Sequence, residues 1–422
     1  MKIILGFTLA LLSLGASAQS RLGRQLGGNP LQQLAELTGA QGGAGFGNNV
    51  AISGDTVVVG IPLSSEVCGD CGAAYVYSAV GGDWTNLVQT ATLTASSPSS
   101  FSGFGEPVAI SGDTVVVAGN NQVGQPVVYV YVNPSGNVTE TAQLTVSGSQ
   151  AAPIFGLGID GNFVVAGMPQ VSVGRNVYQG SAYIYVEPAG GWADMTQTAQ
   201  LLATDGASNA IFGITAGISG RNVVIGATQA EFGGVEEGLA YLYVEPVAGW
   251  GGIWGQTTEF VASNATRNAG FGASVSVSGD TVAIGAPAQT VGANALQGAA
   301  YVFARPSTGW PKTMTQSAEL TAEHGTPGNG LGDSVVISGK TVVAGAPSWD
   351  GGLGTALVFF EPSGGWQNAS SAEQITASDG AADNNFGRWL AIGNNALAVS
   401  SPGWPAGGID PDGAVYIFGT GQ

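Results

Sequence analysis

Short runs of β-branched residues recur along the chain, separated by tight turns that contain glycine. In one example Val50-Ala51-Ile52 leads to the turn Ser53-Gly54-Asp55, which Thr56-Val57-Val58-Val59 follows. Two such runs joined by a glycine turn predict a β-hairpin. The turn returns at Ser111-Gly112-Asp113, Asp160-Gly161-Asn162, Ser219-Gly220-Arg221, Ser278-Gly279-Asp280, Ser338-Gly339-Lys340 and Gly393-Asn394-Asn395. The pattern therefore predicts a chain of hairpins.

A third and a fourth run complete each repeating unit. The third run places two large apolar residues two positions apart, as in Tyr75 and Tyr77. This spacing puts both rings on one face of a strand, and we interpret them as packing between neighbouring sheets. A turn with tryptophan then precedes the fourth run in most units, at Trp84, Trp192, Trp250, Trp310 and Trp366. Four strands per unit without a helical period indicate the blades of a β-propeller.

Seven units follow one another, each marked by a large apolar residue and a glycine. The markers are Phe46-Gly47, Phe104-Gly105, Phe155-Gly156, Phe212-Gly213, Phe271-Gly272, Leu331-Gly332 and Phe386-Gly387. Such a period is typical of repeat architectures. The last unit ends after its third strand, and Leu34-Ala35-Glu36-Leu37-Thr38 resembles the missing fourth. We predict an all-β, seven-bladed β-propeller with four-stranded antiparallel blades, closed by an N-terminal strand that pairs into the last blade.

The start of the chain has the features of a secretory signal peptide. Lys2 precedes an apolar stretch at residues 3–14, and Ala16-Ser17-Ala18 has the small-residue spacing of a cleavage site. We predict a signal peptide at residues 1–18, a linker at 19–30 and one propeller at 31–422. No later segment has the roughly 20 apolar residues that cross a bilayer. The sequence therefore predicts a secreted, extracellular protein without membrane insertion.

The net charge limits the classes of partner, and the two cysteines predict a disulfide. The chain has 28 acidic and 10 basic residues and a formal charge of −18, which repels phosphate backbones and argues against nucleic acid as a partner. Cys68 and Cys71 are the two cysteines. Because exported proteins meet an oxidising environment, we predict a disulfide between them.

The markers, together with Gly285-Ala286-Pro287 and Gly345-Ala346-Pro347, resemble the FG-GAP repeat that builds the propeller of integrin α subunits. The resemblance covers nearly all of residues 31–422, and the chain is most similar to calcium-poor, stand-alone secreted members. Many integrin-type blades carry a calcium loop rich in Asp and Asn. The turns of this chain are three residues long with one carboxylate or none. We therefore expect no metal at these turns and no cofactor. The alternative is calcium at one of the two oxygen-rich stretches, residues 379–385 or 410–413.

Binding residues of propellers concentrate in the loops of one face, between the second and third strands and between blades. Here those loops vary in length and composition. Trp349 with Asp350, and Trp404 with Asp410 and Asp412, lie in two of them. An exposed indole stacks on a sugar ring while a carboxylate accepts hydrogen bonds, so we predict these five residues as ligand-binding. The alternative is that each tryptophan covers the end of its own blade.

The sequence lacks the signatures of an enzyme. His324 is the single histidine, and no Ser-His-Asp motif is present; we predict no catalytic residues. The leading hypothesis is a binding or adhesion propeller that recognises an extracellular glycan or protein. Alternatives are a structural coat or matrix component, and a polysaccharide-degrading enzyme that uses two carboxylates. Three sequons predict N-glycans if the source is a eukaryote, at Asn137, Asn264 and Asn368.

Overall fold

The computed structural model describes residues 30–39, 45–65, 68–148, 152–370, 373–393, 395–403 and 413–419. The predicted signal peptide, all of the linker except Pro30, and the candidate residues Trp404, Asp410 and Asp412 lie outside these ranges. The domain boundaries after residues 18 and 30 therefore stay predictions.

Seven sheets form the blades, and their strands follow the chain in order. The N-terminal strand is β1 (Gln32–Thr38). Blade 1 has β2 (Asn49–Ser53), β3 (Thr56–Ile61), β4 (Ala73–Ala79) and β5 (Leu87–Leu93), with a 3₁₀ turn at Val80–Gly82. The segment of blade 2 has β6 (Val108–Ser111), β7 (Thr114–Asn120), β8 (Pro126–Val132), β9 (Gly136–Val138) and β10 (Ala142–Thr145). That of blade 3 has β11 (Gly156–Asp160), β12 (Phe163–Met168), β13 (Ser181–Val186), β14 (Met195–Thr196) and β15 (Ala199–Leu202).

The remaining blades repeat this order. The segment of blade 4 has β16 (Phe212–Ser219), β17 (Asn222–Ala227), the small hairpin β18 (Glu231–Phe232) and β19 (Val235–Glu236), β20 (Leu239–Val244), β21 (Gly252–Gly255) and β22 (Thr258–Val261). That of blade 5 has β23 (Ser274–Ser278), β24 (Thr281–Ala286), β25 (Ala299–Ala304), β26 (Thr313–Thr315) and β27 (Ala318–Thr321). Blade 6 follows with β28 (Val335–Ser338), β29 (Thr341–Ala346), the single turn α1 (Trp349–Gly352), β30 (Thr355–Phe360), β31 (Ala369–Ser370) and β32 (Glu373–Ile375). Blade 7 has β33 (Leu390–Ile392), β34 (Leu397–Ser401) and β35 (Ala414–Gly419).

The blades form a closed ring. The innermost strands contact one another in the order β2, β6, β11, β16, β23, β28 and β33, and β33 contacts β2 again. The strand β1 pairs antiparallel with β35, from Gln32 opposite Gly419 to Thr38 opposite Ala414. It becomes the fourth strand of blade 7, so the predicted seven-bladed propeller and its closure by the N-terminal strand are confirmed. Pairing β35 in this way also removes an open sheet edge.

Five blades gain a fifth, outermost strand from the following blade. The short strands β9, β14, β21, β26 and β31 lie between the third and fourth strands of their own blade, and each pairs in parallel with the fourth strand of the preceding one. The prediction of four antiparallel strands did not include them. Two to four residues are too few to show an apolar period. These strands connect neighbouring blades at the outer rim.

A side-chain hydrogen bond repeats beside these parallel strands. A glutamine or glutamate just before the fourth strand, or at its start in blade 7, accepts the backbone N–H of a residue that follows the fourth strand of the preceding blade. The pairs and N···O distances are Ser96 to Glu140 at 2.8 Å, Ser147 to Gln197 at 2.8 Å, Thr204 to Gln256 at 2.9 Å, Ser263 to Gln316 at 2.9 Å and Ser378 to Gln33 at 3.0 Å. The bond satisfies a backbone donor beyond the end of the strand.

Close backbone contact between blades explains the recurring glycines. A Cβ added at Gly285, in the Gly-Ala-Pro motif of blade 5, would overlap the carbonyl oxygen of Gly332 in the marker of blade 6. The same contact joins Gly60 to Gly105, Gly167 to Gly213, Gly226 to Gly272 and Gly345 to Gly387. The two motifs are thus the two halves of one contact that only glycine permits.

The marker predicted at Phe155-Gly156 in the third unit is wrong. Gly156 lies opposite Gly167 as Asn49 lies opposite Gly60, so the position equivalent to Phe46 is Pro153, two residues earlier. Phe155 is accordingly 44% exposed, whereas Phe46 is fully buried. The glycine contact is absent at this junction, because Ala118 stands opposite Pro107 where Gly60 stands in blade 1. Ala118 instead shares a core cluster with Ile154.

The aromatic pairs of the third strands are buried between blades, as predicted. Tyr129 and Tyr131 lie 5.3 and 6.4 Å, between ring centroids, from the marker ring of Phe104. They share a core cluster with Val58 and Val76 of the preceding blade. Burial raises the pKa of the Tyr129 phenol to about 12. The rings therefore belong to the packing of the propeller and not to a binding surface.

Candidate functional site

The predicted loops do share one face of the propeller. Glycines at the ends of the second-to-third-strand loops form parallel bridges with the next blade's marker, as in Gly72 with Phe104 and Gly180 with Phe212. Large apolar side chains are exposed on this loop face, namely Leu63, Phe101, Val123, Phe155, Val177, Tyr178, Phe232 and Leu296. Eight of the fourteen exposed large apolar side chains among the described residues thus lie on this face, and clustered exposed apolar surface is typical of interaction sites.

A cavity of about 350 Å³ opens on the loop face between blades 3 and 4. Phe155 and Tyr178 contribute aromatic walls, and Tyr178 is 51% exposed. Ile211 and Ile214 add aliphatic walls. The polar groups of the lining are the side-chain amides of Gln170, Asn209 and Gln229. The lining has an apolar body with few polar groups and no charge, which is typical of small-ligand sites.

The loop at residues 169–180 is fixed against blade 4 by backbone hydrogen bonds. The N–H groups of Asn209, Ile211 and Phe212 donate to the carbonyls of Val177, Tyr178 and Gln179 at 2.8, 3.2 and 2.9 Å. Beneath it, Asn176 Nδ2 donates to Gln179 Oε1 at 2.8 Å and to the carbonyl of Gly206 at 2.9 Å. Because its backbone is held at several points, the cavity is preformed.

The backbone of Ile211 is strained. Its φ is +56°, in the left-handed region that β-branched residues avoid. The equivalent residue before the marker is glycine in four other blades and asparagine in a fifth, at Gly45, Gly103, Gly270, Gly330 and Asn385. Holding isoleucine there costs about 1–2 kcal/mol. Strain of this kind concentrates at functional sites, and here it places an aliphatic side chain in the cavity wall.

The structure places Trp349 and Asp350 in α1, in the loop between β29 and β30 of blade 6. The ring of Trp349 is partly buried against the core between blades 5 and 6, while Asp350 is exposed with φ +49°. This packing agrees with a tryptophan that covers the end of its own blade. The pair lies on a different blade from the cavity, and its predicted ligand role stays a prediction, as do those of Trp404, Asp410 and Asp412.

The predicted disulfide between Cys68 and Cys71 is present in the β3–β4 loop. Asp70 lies between the two cysteines, and its backbone carbonyl accepts a hydrogen bond from the N–H of Phe101 at 2.8 Å. The disulfide loop is therefore held against the segment that enters blade 2.

The sequon asparagines differ in their surroundings. Asn137 is exposed in β9. Asn264 donates from Nδ2 to Glu319 Oε1 at 2.9 Å, and Asn368 Oδ1 accepts the N–H of Glu319 at 2.8 Å. The use of all three sequons stays a prediction.

Charged groups meet beside the innermost strands at the loop face. Asn48 Nδ2 donates to Glu106 Oε2 at 3.0 Å, and Arg388 donates to Asp333 Oδ2 at 2.8 Å. Burial raises the pKa of the Asp333 carboxyl, and the Arg388 charge partly offsets the rise. Part of the Glu106 side chain reaches the surface, but the loops around its carboxyl desolvate it and raise its pKa. Among the described residues no group of three or more His, Cys, Asp or Glu side chains is arranged to hold a metal ion.

Mild acid is expected to stabilise the protein. Burial is the largest cause of a raised pKa in five carboxyl groups, those of Glu36, Glu106, Glu237, Glu259 and Asp333. Stability from such a group is complete below its unfolded value near 4 and is lost as pH rises through the folded value. The melting temperature should therefore be higher at about pH 5 than at about pH 7.5, at equal ionic strength. Glu106→Gln should flatten this dependence; a melting temperature that falls between pH 7.5 and 5 contradicts the assignment.

The sequence offered little sign of the cavity. The sequence pattern places Phe155 in a repeat marker, where a buried ring is expected. Tyr178 lies in a loop whose counterpart in blade 5 carries Leu296, so an aromatic residue is not a feature of this loop position. Ile211 was the available signal, since it stands where the neighbouring repeats have glycine or asparagine. Aligning the repeats on the turn instead of on Phe-Gly shows in addition that Phe155 lies two residues after the marker position.

The structure is a β-propeller scaffold of a ligand-binding type. Its ring is closed, its blades are built from one repeat, and its loop face has a preformed cavity. The FG-GAP repeat model matches residues 32–77, 87–131, 195–243, 254–303 and 370–418, more than half of the chain, which therefore belongs to the FG-GAP repeat family. The first three strands of blades 3 and 6 lie outside the matches; blade 3 lacks the marker and blade 6 has Leu331 in place of phenylalanine. No individual characterised protein was found to match the chain.

Repeats of this family are typical of extracellular proteins. In the part of the chain that the structure describes, no helix has the length and apolar character needed to cross a membrane.

Proposed function

We propose that the protein is an extracellular binding propeller that takes a neutral carbohydrate in the cavity between blades 3 and 4. The observation that carries the proposal is the lining, in which two exposed rings, Phe155 and Tyr178, stand beside the amides of Gln170, Asn209 and Gln229. This combination is suited to a ligand with both C–H faces and hydroxyl groups.

The chemistry of the lining favours sugar over other small ligands. A sugar ring presents apolar C–H faces that pack on aromatic side chains. Its hydroxyl groups both donate and accept hydrogen bonds, and a side-chain amide offers both functions. No carboxylate or cation lines the cavity, so the binding of a charged ligand would lack a counter-charge. In a chain of net charge −18, an uncharged cavity favours a neutral glycan over an acidic one.

An extracellular setting is supported by three independent features. The chain begins with the pattern of a signal peptide. Cys68 and Cys71 form a disulfide, which persists in oxidising compartments. The family's repeats are typical of extracellular proteins. Glycans of a cell surface or an extracellular matrix are the ligands that such a protein meets.

A glycan array probed with the natively secreted protein tests the proposal. We expect selective binding of neutral glycans, reduced at least about tenfold in Tyr178→Ala because a central aromatic contact is lost. Leu296→Ala is the matched control. Leu296 is 54% exposed and occupies the same position of an equivalent loop in blade 5, where Asn294 and Gln297 repeat the hydrogen bond of Asn176 and Gln179 at 2.8 Å.

The outcomes separate the hypotheses. Binding that Tyr178→Ala and Leu296→Ala reduce equally would place the ligand elsewhere on the loop face. A blank array would contradict the carbohydrate proposal and shift attention to a protein ligand. Repeating the array with calcium and with a chelator tests the expectation that binding needs no metal.

A further inference from the structure

Tryptophan fills an equivalent space at five of the seven junctions between blades. Trp84, Trp192, Trp250, Trp310 and Trp366 each belong to or pack against a core cluster that joins their own blade to the preceding one. Three of them, Trp84, Trp192 and Trp310, bury the indole N–H without a partner in the described part of the chain. The shape of the space, and not a hydrogen bond, therefore holds these rings.

The junction between blades 1 and 2 lacks this tryptophan. The connection in which it would lie is short, because β8 ends at Val132 and β10 begins at Ala142, whereas β13 ends at Val186 and β15 begins at Ala199. The shortened connection contains no aromatic residue. The core cluster of this junction, which includes Val76 and Val115, accordingly has no indole among its described members.

A cavity of about 300 Å³ lies at this junction. Blade 1 lines it with Val76, Ser78 and Thr90, and blade 2 with residues that include Ile110 and Val115. In blades 5 and 6 the residues equivalent to Val76, Ile110 and Val115 are Val302, Ile337 and Val342, and these three share a cluster with Trp366. The cavity thus occupies the space that an indole ring fills elsewhere.

A second junction without tryptophan, between blades 6 and 7, is filled in another way. Phe360 is opposite Thr341 as Ser78 is opposite Thr56, so Phe360 and Ser78 are equivalent. Phe360 is partly buried against the core of its junction. Serine at this position in blade 1 provides no such filling. The junction of blades 1 and 2 therefore lacks the tryptophan and also has a small residue at the position of Phe360.

We infer that this cavity is a binding site for a planar aromatic molecule of the indole class. The side chains of Val76, Ile110 and Val115 lie at the base of the cavity, as their equivalents lie against Trp366 in blades 5 and 6. Ser78, Thr90 and the exposed Asp113 add hydroxyl and carboxylate oxygens to the lining, which accept the N–H that indole offers. The cavity volume of about 300 Å³ lies at the lower end of the range of small-ligand sites.

Isothermal titration with indole itself tests the inference. The wild-type protein should bind one indole saturably, and Ser78→Phe should weaken binding at least about tenfold because the phenyl ring occupies the site as Phe360 does in blade 6. Ser78→Phe should also raise the melting temperature. Absence of saturable binding by the wild type, or unchanged affinity in Ser78→Phe, would overturn the inference.

Two further variants serve as controls for this experiment. Exchange of residues 133–137 for the connection 187–194, which carries Trp192, should abolish indole binding by restoring the missing ring; retained binding would count against the site. Tyr178→Ala should bind indole like the wild type, which separates this site from the carbohydrate cavity. A protein that binds indole but no glycan, or the reverse, identifies which of the two proposals fails.

Discussion

Gly285→Ala is expected to destabilise the propeller by about 3 kcal/mol, because the new methyl group would occupy the position of the Gly332 carbonyl oxygen. The clash is between backbone and methyl group, so no side chain can rotate to relieve it. Gly285 lies in β24, and moving that strand would disturb its pairing on both sides. Chemical unfolding monitored by circular dichroism measures the loss.

Gly190→Ala is the matched control for this change. Gly190 has an ordinary φ, and no atom lies close to the position of its added Cβ, so the substitution should change stability by no more than about 0.5 kcal/mol. A Gly285→Ala protein as stable as Gly190→Ala would show that the glycine contact does not explain the paired motifs.

The main architecture followed from the sequence because each blade repeats the same local signals. Turns such as Ser53-Gly54-Asp55 and the alternating rings of Tyr75 and Tyr77 occur in a fixed order, so agreement among units supports what one unit leaves ambiguous. The parallel outer strands did not follow, since strands as short as Met195–Thr196 are specified by the neighbouring blade. The candidate cavity did not follow either, because its walls come from two blades.

One wall of the cavity between blades 3 and 4 comes from a neighbouring junction at which the repeat departs from its usual pattern. At the junction of blades 2 and 3, Ala118 stands at the position of the motif glycine and Pro126 at the position of Gly72. Pro153 stands at the position of the marker phenylalanine. The three replacements occur together because, at most of the other junctions, the two glycines contact the marker of the next blade. They leave Phe155 on the surface instead of in the core. Departures from local consistency are expected at functional sites, and this one supplies a wall of the proposed carbohydrate site.

Phe212→Ala and Phe155→Ala are expected to have opposite consequences, although both residues stand in Phe-Gly pairs. Phe212 is fully buried, with its ring centroid 5.6 Å from that of Tyr241 and 6.0 Å from that of Tyr243. Its truncation should cost about 3–5 kcal/mol, since the surrounding β-sheets cannot collapse into the space. Phe155 is 44% exposed, and its truncation should change stability by no more than about 0.5 kcal/mol.

Binding should show the reverse order. Phe155→Ala removes a wall of the carbohydrate cavity while the fold is retained, so its glycan binding should fall by about tenfold or more at an unchanged melting temperature. Thermal unfolding and the glycan array, applied to both variants, measure the two effects. A Phe155→Ala protein that unfolds as readily as Phe212→Ala would mean that Phe155 is a core marker after all, and the corrected alignment of blade 3 would be wrong.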